Sequence, residues 1–157
     1  MRKATASSAV RVQEILGPQY EVLEFDERTA TSAEAAAAVG CAVSQIAKSL
    51  LFRSRGGRPV MVIASGANRV DEKKVAAILG EKIERADAEF VRTTTGYAIG
   101  GVAPVGHATK VEVLLDADLK AHDTIWAAAG TPNAVFRLTP SNLEQLTGGR
   151  FVEIAKR

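Results

Sequence analysis

Short apolar runs separated by glycine, proline, asparagine or aspartate recur along the chain, and this pattern constrains the fold more than any other feature. The runs predict strands at 20–25, 49–53, 59–64, 97–102, 111–115, 124–128, 134–138 and 150–155. Amphipathic or capped segments predict helices at 4–16, 31–40, 71–79, 88–92 and 140–146, and a short helical turn at 44–47. Because helices and strands do not alternate strictly, a doubly wound parallel sheet is disfavoured. We expect an α+β fold with helices packed on a mixed, largely antiparallel sheet.

Two local predictions concern side-chain placement. The Ser-Arg-Gly-Gly segment between the strands at 49–53 and 59–64 predicts a hairpin, which brings Lys48 and Ser65 to the same open end. In the first helix, we expect Val12, Ile15 and Leu16 to face the core. Cys41 is expected to be a buried, inert thiol, Trp126 a core residue and His122 a surface residue.

Length and composition exclude several classes of protein. The 157 residues fit one domain, expected to span residues 1–157, and the formal net charge of +2 is too small for broad, nonspecific phosphate binding. A single cysteine excludes an internal disulfide framework and suits a reducing cytosol. The two histidines and the cysteine lack metal-ligand spacing, so we expect neither a metal nor a cofactor. No targeting segment or membrane span is evident, and we expect a cytoplasmic protein.

The net charge conceals a local asymmetry. Residues 21–47 contain five acidic residues and one basic residue, whereas residues 48–74 contain seven basic and two acidic residues, a net of +5. One interpretation is ordinary surface charge on a hairpin and a helix. The other is a local patch that faces phosphate groups, and composition does not choose between them.

Lys48 and the segment that follows the next strand carry the first candidate site. Lys48 lies at the entry to an apolar strand, where its side chain either reaches the solvent at the sheet edge or holds an anion such as phosphate. The segment from Ser65 to Asp71 is either an ordinary turn that ends in a helix cap or a polar rim presenting Asn68 and Arg69 beside Lys48.

A glycine-rich stretch from Gly96 to His107 carries the second candidate site. No nucleophile elbow, phosphate-binding loop or dinucleotide-binding motif is present in the sequence. The stretch is either a bulged turn at a sheet edge or a loop whose backbone groups line a small-ligand pocket. His107, at its end, either braces the loop or reaches into that pocket.

These segments together resemble the YbaK family, which includes the editing domain inserted in bacterial prolyl-tRNA synthetases and its free-standing relatives. The resemblance rests on Gln45-Ile-Ala-Lys-Ser-Leu-Leu-Phe52, on the segment from Ser65 to Lys74 and on the stretch from Thr95 to His107, and it extends over roughly residues 20 to 155. It implies a partly closed sheet of six or seven strands surrounded by helices. It also implies hydrolysis of the ester that joins a wrong amino acid to a tRNA.

The resemblance further implies roles for particular residues. Lys48 would hold the phosphate or ribose of the terminal adenosine, and the loop of Gly100, Gly101 and Pro104 would position and polarise the ester. His107 would line the amino-acid pocket. No side chain serves as an obvious general base in this family, so the ribose hydroxyl and backbone groups would help to activate water. The remaining expected substrate-binding residues are Ser49, Ser65, Gly66, Asn68, Arg69 and Val102.

The expected function is therefore a trans-acting aminoacyl-tRNA deacylase that clears tRNA-Pro mischarged with alanine, serine or cysteine. Ser49 stands where many relatives carry threonine or asparagine, a difference that bears on amino-acid preference. The expected partners are the acceptor end of aminoacyl-tRNA and prolyl-tRNA synthetase, with no membrane. The alternatives are a non-catalytic tRNA- or synthetase-binding module of the same fold, and a small-molecule hydrolase or regulatory ligand-binding domain.

Overall fold

The computed structural model describes residues 2–157, which form five α-helices, two short 3-10 helices and nine strands. The helices are α1 Ser7–Leu16, α2 Ser32–Val39, α3 Glu72–Leu79, α4 Ala88–Thr95 and α5 Pro140–Thr147. The strands are β1 Arg2–Lys3, β2 Val22–Glu24, β3 Ile46–Ser54, β4 Pro59–Ser65, β5 Ile83–Arg85, β6 Glu112–Asp116, β7 Ile125–Ala128, β8 Ala134–Leu138 and β9 Arg150–Val152. The 3-10 helices span Val43–Gln45 and Ala117–Ala121.

All nine strands belong to one sheet, in the order β1-β2-β8-β7-β3-β4-β6-β9, with β5 paired to β3 off this path. Five pairs are antiparallel, and β3–β7, β4–β6 and β6–β9 are parallel. The expected mixed, largely antiparallel α+β architecture is confirmed. The number of strands exceeds the expected six or seven because the short segments Arg2–Lys3 and Ile83–Arg85 also pair with neighbouring strands. Along residues 2–157 the order is an open one that ends at β1 and β9.

Capping explains where most helices begin and end. Four of the five helices begin after a residue whose side chain accepts a hydrogen bond from a backbone N–H group of the first turn. These caps are Thr31, Asp71, Asp87 and Thr139. The same four helices end at a glycine in the left-handed conformation, as the sequence predicts for α2, α3 and α5.

Two local expectations are wrong. No strand forms at 97–102, because Gly100 has φ +93°, which a strand does not accommodate, and the Tyr97 hydroxyl donates to the carbonyl of Val105, so that the segment folds back as a loop. Ile15 does not face the core: its side chain is 46% exposed. The buried face of α1 instead consists of Ala9, Val12 and Leu16.

Apolar side chains pack on both faces of the sheet. Ala47 and Leu51 of β3 belong to the larger core cluster, which also contains side chains of α1, α4 and α5. Phe52 of β3 belongs to a second cluster with Val75 of α3. Because successive residues of a strand point to opposite faces, odd-numbered and even-numbered residues of β3 lie on different sides of the sheet.

Candidate active site

The candidate site lies at an interruption in the strand pairing of β3. One edge of β3 pairs with β4 along its length, from Ala47↔Ser65 to Arg53↔Pro59, which confirms the predicted hairpin. On the other edge, pairing with β7 stops at Ala47↔Ala127 and pairing with β5 begins only at Phe52↔Arg85. Residues 48–51 therefore have no strand partner on that edge, and we call this interval the β3 gap.

The β3 gap opens into a cavity of about 250 Å³. Lys48, Ser49, Leu50 and Leu51 form one wall. The other lining residues come from five parts of the chain: Thr29–Ser32 with Ala35, Ile46–Ala47, Arg85–Ala86 with Val91, Ile99–Gly100 with Val102, and Trp126–Ala128 with Val135. Its volume is below the roughly 300–1,000 Å³ of sites that enclose drug-sized ligands, so it suits a small group rather than a whole nucleotide.

The charge of this cavity is positive. Among the described residues that line it, Lys48 and Arg85 are cationic, and none is acidic. Neither cation has a carboxylate within ion-pair distance in the part of the chain that the structure describes. The Arg85 guanidinium lies 5.7 Å from the ring centroid of Phe52, which holds it at the sheet surface. An anion at the mouth would find two positive charges and no competing carboxylate.

Two buried hydroxyl groups at the cavity lack a partner. The Oγ atoms of Ser32 and Ser49 are buried without a hydrogen bond, although most buried polar atoms in proteins are satisfied. Both residues line the cavity. Each hydroxyl is therefore free to form a hydrogen bond with a polar group of a ligand inside the cavity.

The glycine loop forms another wall of the cavity and is packed closely against neighbouring backbone. A Cβ atom on Gly100, which has φ +93°, would lie 3.0 Å from the Cβ of Ala30, another lining residue. A Cβ atom on Gly101 would lie 2.8 Å from the backbone carbon of Thr131. Side chains at these positions would push the loop away, so the glycines are required for this wall.

The end of the loop is fixed by α1 and by its own side chains. Arg11 donates to the carbonyl of Gly106 at 3.0 Å, and the Tyr97 hydroxyl donates to the carbonyl of Val105 at 2.7 Å. His107 Nε2 lies 2.8 Å from the carbonyl oxygen of Ala103. Burial lowers the pKa of His107, and nearby Arg11 lowers it further, against the opposing effect of that carbonyl. His107 is therefore placed to brace the loop.

The segment from Ser65 to Arg69 is joined to a different part of the molecule. The Ser65 N–H and the Asn68 side chain donate to Asp116 Oδ2 at 3.0 and 2.9 Å, and Asn68 also donates to Asp118 at 2.8 Å. Arg157 donates two hydrogen bonds to Asp118, and these, with the bond from Asn68, lower the pKa of that carboxyl group. We call Ser65, Asn68, Asp116, Asp118 and Arg157 the aspartate network.

The structure thus brings together some of the predicted site residues. Lys48, Ser49, Gly100 and Val102 line the cavity, whereas the others do not: Ser65, Gly66, Asn68, Arg69, Gly101, Pro104 and His107. Gly66 approaches the site indirectly, since a Cβ there would lie 2.8 Å from Ser32 Oγ.

Some lining residues escaped the sequence analysis. Arg85 and Ser32 are the main ones. Thr31 and Glu34 have the spacing of a capping box, which predicts where α2 begins. This spacing does not show that the first turn of α2 lines the cavity. Trp126, expected in the core, is only half-buried and lies in the cavity wall, and Cys41 is also half-buried, which raises the pKa of its thiol.

The basic segment 48–74 does not converge on this site. Arg58 pairs with Glu81 and Glu112, and Lys74 pairs with Glu153, as expected of ordinary surface charge. Lys48 is the only one of the seven basic residues in the cavity lining.

Two kinds of feature are absent from residues 2–157. No group of three or more histidine, cysteine, aspartate or glutamate residues there could hold a metal ion. In the same residues, no helix has the length and apolar character needed to cross a bilayer.

Comparison with known proteins places this geometry in context. The family model described as "Aminoacyl-tRNA editing domain" matches residues 26–146. The chain is 36% identical to "Uncharacterized protein YwhH" of Bacillus subtilis over 139 residues, 88% of each chain. It is 27% identical to "Putative Cys-tRNA(Pro)/Cys-tRNA(Cys) deacylase EbsC" of Enterococcus faecalis over 154 residues, 96% of this chain and 94% of that one.

Two further similarities concern prolyl-tRNA synthetases. The "Proline--tRNA ligase" of Bacillus licheniformis is 34% identical over 134 residues, which are 82% of this chain but 23% of the ligase. The structure described as "Crystal structure of a putative trans-editing enzyme for prolyl tRNA synthetase" superposes with a TM-score of 0.93 at 42% identity, over 98% of this chain and 100% of that chain.

Proposed function

Since the chain belongs to the aminoacyl-tRNA editing domain family, we propose that it is a trans-acting deacylase that hydrolyses the ester of mischarged tRNA. The substrates we propose are tRNA-Pro charged with alanine, serine or cysteine. In this reaction the oxygen of water bonds to the ester carbonyl carbon, and the bond from that carbon to the ribose oxygen breaks. The ribose oxygen takes a proton, which leaves a free amino acid and intact tRNA.

The observation that carries this proposal is the cavity at the β3 gap. Lys48 and Arg85 place positive charge at a pocket that otherwise consists mainly of small or apolar groups. This combination suits a substrate with a phosphate-bearing end and a small acyl group. In the proposed complex, Lys48 holds the phosphate or ribose of the terminal adenosine, and the acyl group enters the cavity.

The small cavity supports a preference for small amino acids. A synthetase pocket built for proline cannot strongly reject a smaller amino acid, because a missing methylene group changes the free energy of binding by only about 1–3 kcal/mol. A second site that admits only small acyl groups removes such errors. Val102 and Gly100 of the glycine loop line this cavity.

Other predicted residues act on this site through the loop or the sheet. Gly101 allows the loop to pack closely against Thr131, and His107 Nε2 lies beside the carbonyl of Ala103. A role of Pro104 stays a prediction. Direct contact of Ser65, Gly66, Asn68 and Arg69 with substrate stays a prediction. We propose that the protein acts in the cytoplasm on the acceptor end of tRNA, alone or together with prolyl-tRNA synthetase.

A second function is favoured by one feature of the cavity. No histidine, cysteine or acidic residue is among its described lining residues, so it offers no side chain suited to act as a general base. A non-catalytic module that binds aminoacyl-tRNA or a synthetase would need none. In the proposed deacylase, the ribose hydroxyl of the tRNA and backbone groups of the protein position the attacking water, so that no side chain has to act as a base.

A panel of mischarged tRNAs tests the proposal. The protein is incubated with tRNA-Pro charged with alanine, serine, cysteine or proline, and loss of the ester is followed beside tRNA binding. We expect hydrolysis of at least one of the small amino acids and sparing of prolyl-tRNA. Binding without hydrolysis would support the non-catalytic module, and absence of salt-sensitive tRNA binding would support a small-molecule site.

A further inference from the structure

The backbone of β3 has a fixed orientation at the gap. The Gly66 N–H donates to the carbonyl of Ile46 at 2.8 Å, and the Ser54 N–H donates to the carbonyl of Arg58 at 2.9 Å. Hydrogen-bonded pairs alternate along an antiparallel ladder, so the even-numbered residues of β3 direct their backbone groups toward β4. The odd-numbered residues therefore direct theirs toward the opposite edge, where the gap lies.

Ser49 is left without partners on that edge. Ala47 precedes it and is the last residue paired with β7, and Leu51 follows it and accepts from the Ala86 N–H at 3.1 Å. Among residues 2–157, neither the N–H nor the C=O of Ser49 has a strand partner on this side. Its hydroxyl is also buried and unpartnered. One residue in the cavity wall thus offers a free donor, a free acceptor and a hydroxyl.

We propose that the Ser49 main chain binds the aminoacyl group as a neighbouring strand would, an inference that rests on the proposed deacylase function. The Ser49 N–H donates to the ester carbonyl oxygen, and the Ser49 carbonyl oxygen accepts from the α-amino group. An α-aminoacyl ester carries these two groups on adjacent carbons, like a residue that adds to a sheet edge. The β3 gap is then a one-residue docking site for a strand-like ligand.

This binding mode assigns a role in the reaction to the backbone. As water adds to the carbonyl carbon, negative charge develops on the carbonyl oxygen, and the Ser49 N–H stabilises it. When the bond to the ribose oxygen breaks, the charge returns to form the carboxylate product. The N–H is not transferred. Of the two protons of the attacking water, one goes to the ribose oxygen and the other is released to solvent, which leaves the amino acid as its carboxylate.

The amino-acid side chain has a separate place in this arrangement. Ser49 and Leu51 lie on the same face of β3, and Val91 and Val102 line the same cavity from α4 and the glycine loop. The main chain of Ser49 thus recognises what all α-amino acids share, and the apolar walls select for size. The site requires the α-amino group whichever side chain it accepts.

The substrate arm of the test compares two tRNAs that differ in one group. Alanyl-tRNA and propionyl-tRNA have the same methyl side chain, but propionate has a hydrogen in place of the amino group and cannot donate a hydrogen bond to the Ser49 carbonyl. Each enzymatic rate is divided by the uncatalysed hydrolysis rate of the same ester. We expect the ratio to fall at least about tenfold for propionyl-tRNA, in line with one lost charge-assisted hydrogen bond. Equal ratios would overturn the assignment of the Ser49 carbonyl.

The protein arm replaces the Ser49 peptide N–H with an ester oxygen by incorporating the α-hydroxy acid analogue of serine. We expect the single-turnover rate to fall about 100-fold, as for loss of one oxyanion donor. The matched control is the same backbone change at Arg53, which faces the same edge of β3 but pairs with Glu84 of β5. That control reports the effect of a backbone ester on the sheet, and thermal unfolding is followed for both proteins.

The outcomes separate this inference from the proposed function. If the wild-type protein is active and the Ser49 ester variant matches it, the inference is wrong and the deacylase function stands. An equal loss of rate in both ester variants would show a structural effect and also overturn it. If the wild-type protein hydrolyses no mischarged tRNA, the proposed function fails, and the inference fails with it.

Discussion

Two polar regions at the same end of the β3–β4 hairpin differ in how their polar groups are satisfied. In the aspartate network, Asp116 accepts from the backbone of Ser65, the backbone of Asp118 and the side chain of Asn68. At the β3 gap, the Ser49 hydroxyl has no partner and Lys48 has no carboxylate beside it within residues 2–157. One region satisfies its polar groups internally, and the other has polar groups that are free to bind a ligand.

The contrast shows why residue type alone does not identify a site. Asn68 and Lys48 are equally suited to contact a nucleotide, and both are predicted site residues. Asn68 uses its amide to join the segment after β4 to the last residue of β6 and to Asp118, so it stabilises the fold. We expect substitutions in the aspartate network to lower stability and substitutions at the β3 gap to lower activity. The predictions below test this division.

The largest expected effect is on activity. Lys48→Ala removes the cation that we propose to hold the substrate, and we expect kcat/KM for mischarged tRNA to fall about 100-fold. The Lys48 side chain is exposed, so the melting temperature should not change. Lys73→Ala is the matched control, because Lys73 is an exposed lysine of α3 outside the cavity. Near-wild-type turnover in Lys48→Ala would remove this residue from the site.

We expect Asp116→Ala to lower stability and to leave activity largely unchanged, the reverse of Lys48→Ala. Asp116 is only 2% exposed, and its loss leaves the buried Ser65 N–H and the part-buried Asp118 N–H without this acceptor, while Asn68 keeps its bond to Asp118. We expect the free energy of unfolding to fall by about 3 kcal/mol, measured by urea denaturation. The folded fraction should retain most of its activity. The control Asp123→Ala, at an exposed position, should leave both quantities unchanged. A large loss of activity without loss of stability would place the network in the site.

We expect Gly100→Ala to lower both stability and deacylation rate. A second glycine, Gly148, separates the effect of a positive φ from the effect of the added Cβ on the cavity. A positive φ costs a non-glycine residue about 1 kcal/mol at either Gly100 or Gly148. Only at Gly100 does the added Cβ approach a cavity wall, because no atom lies within 4 Å of the corresponding position at Gly148. Both variants should lose similar stability, and only Gly100→Ala should lose deacylation rate. Equal rates in the two would show that the loop position is unimportant.

The smallest effect concerns pH. Because burial lowers the pKa of His107 in the folded protein, the unfolded state takes up a proton more readily as pH falls. The contribution of His107 to stability is therefore present above its ordinary pKa near 6.5 and is lost as pH falls through the lower folded value. We expect unfolding free energies measured between about pH 5 and 7.5 to depend less on pH in His107→Gln. An unchanged dependence of the unfolding free energy on pH in His107→Gln would contradict this contribution of His107 to stability.

The local parts of the fold were predictable from sequence. Capping residues and glycines mark the helices, and the hairpin follows from two apolar runs and the turn between them. The prediction of a strand from Tyr97 to Val102 was wrong. The apolar residues of this segment are typical of a strand, but Gly100 takes φ +93°. A strand prediction from composition does not detect one positive φ angle.

The site was predictable only in part. Lys48 and Gly100 were identified because charge and glycine content are visible in the sequence. The β3 gap was not, since it depends on β7 and β5 pairing with different ends of one strand edge. Arg85 enters the site through that pairing, and no motif marks it. Non-local strand order is a property of the assembled sheet, so local patterns do not contain it.

The most direct test of the central claim, that the β3 gap receives the aminoacyl group, is an NMR titration. The ligand is an acceptor-stem RNA that carries alanine at its 3′ end through a stable amide, and backbone amide shifts are followed across the chain. We predict the largest changes at residues 48–51 and at Gly100, and small changes at Asn68 and Asp118. Changes confined to residues 65–69 and 116–118, with none at 48–51, would contradict the account.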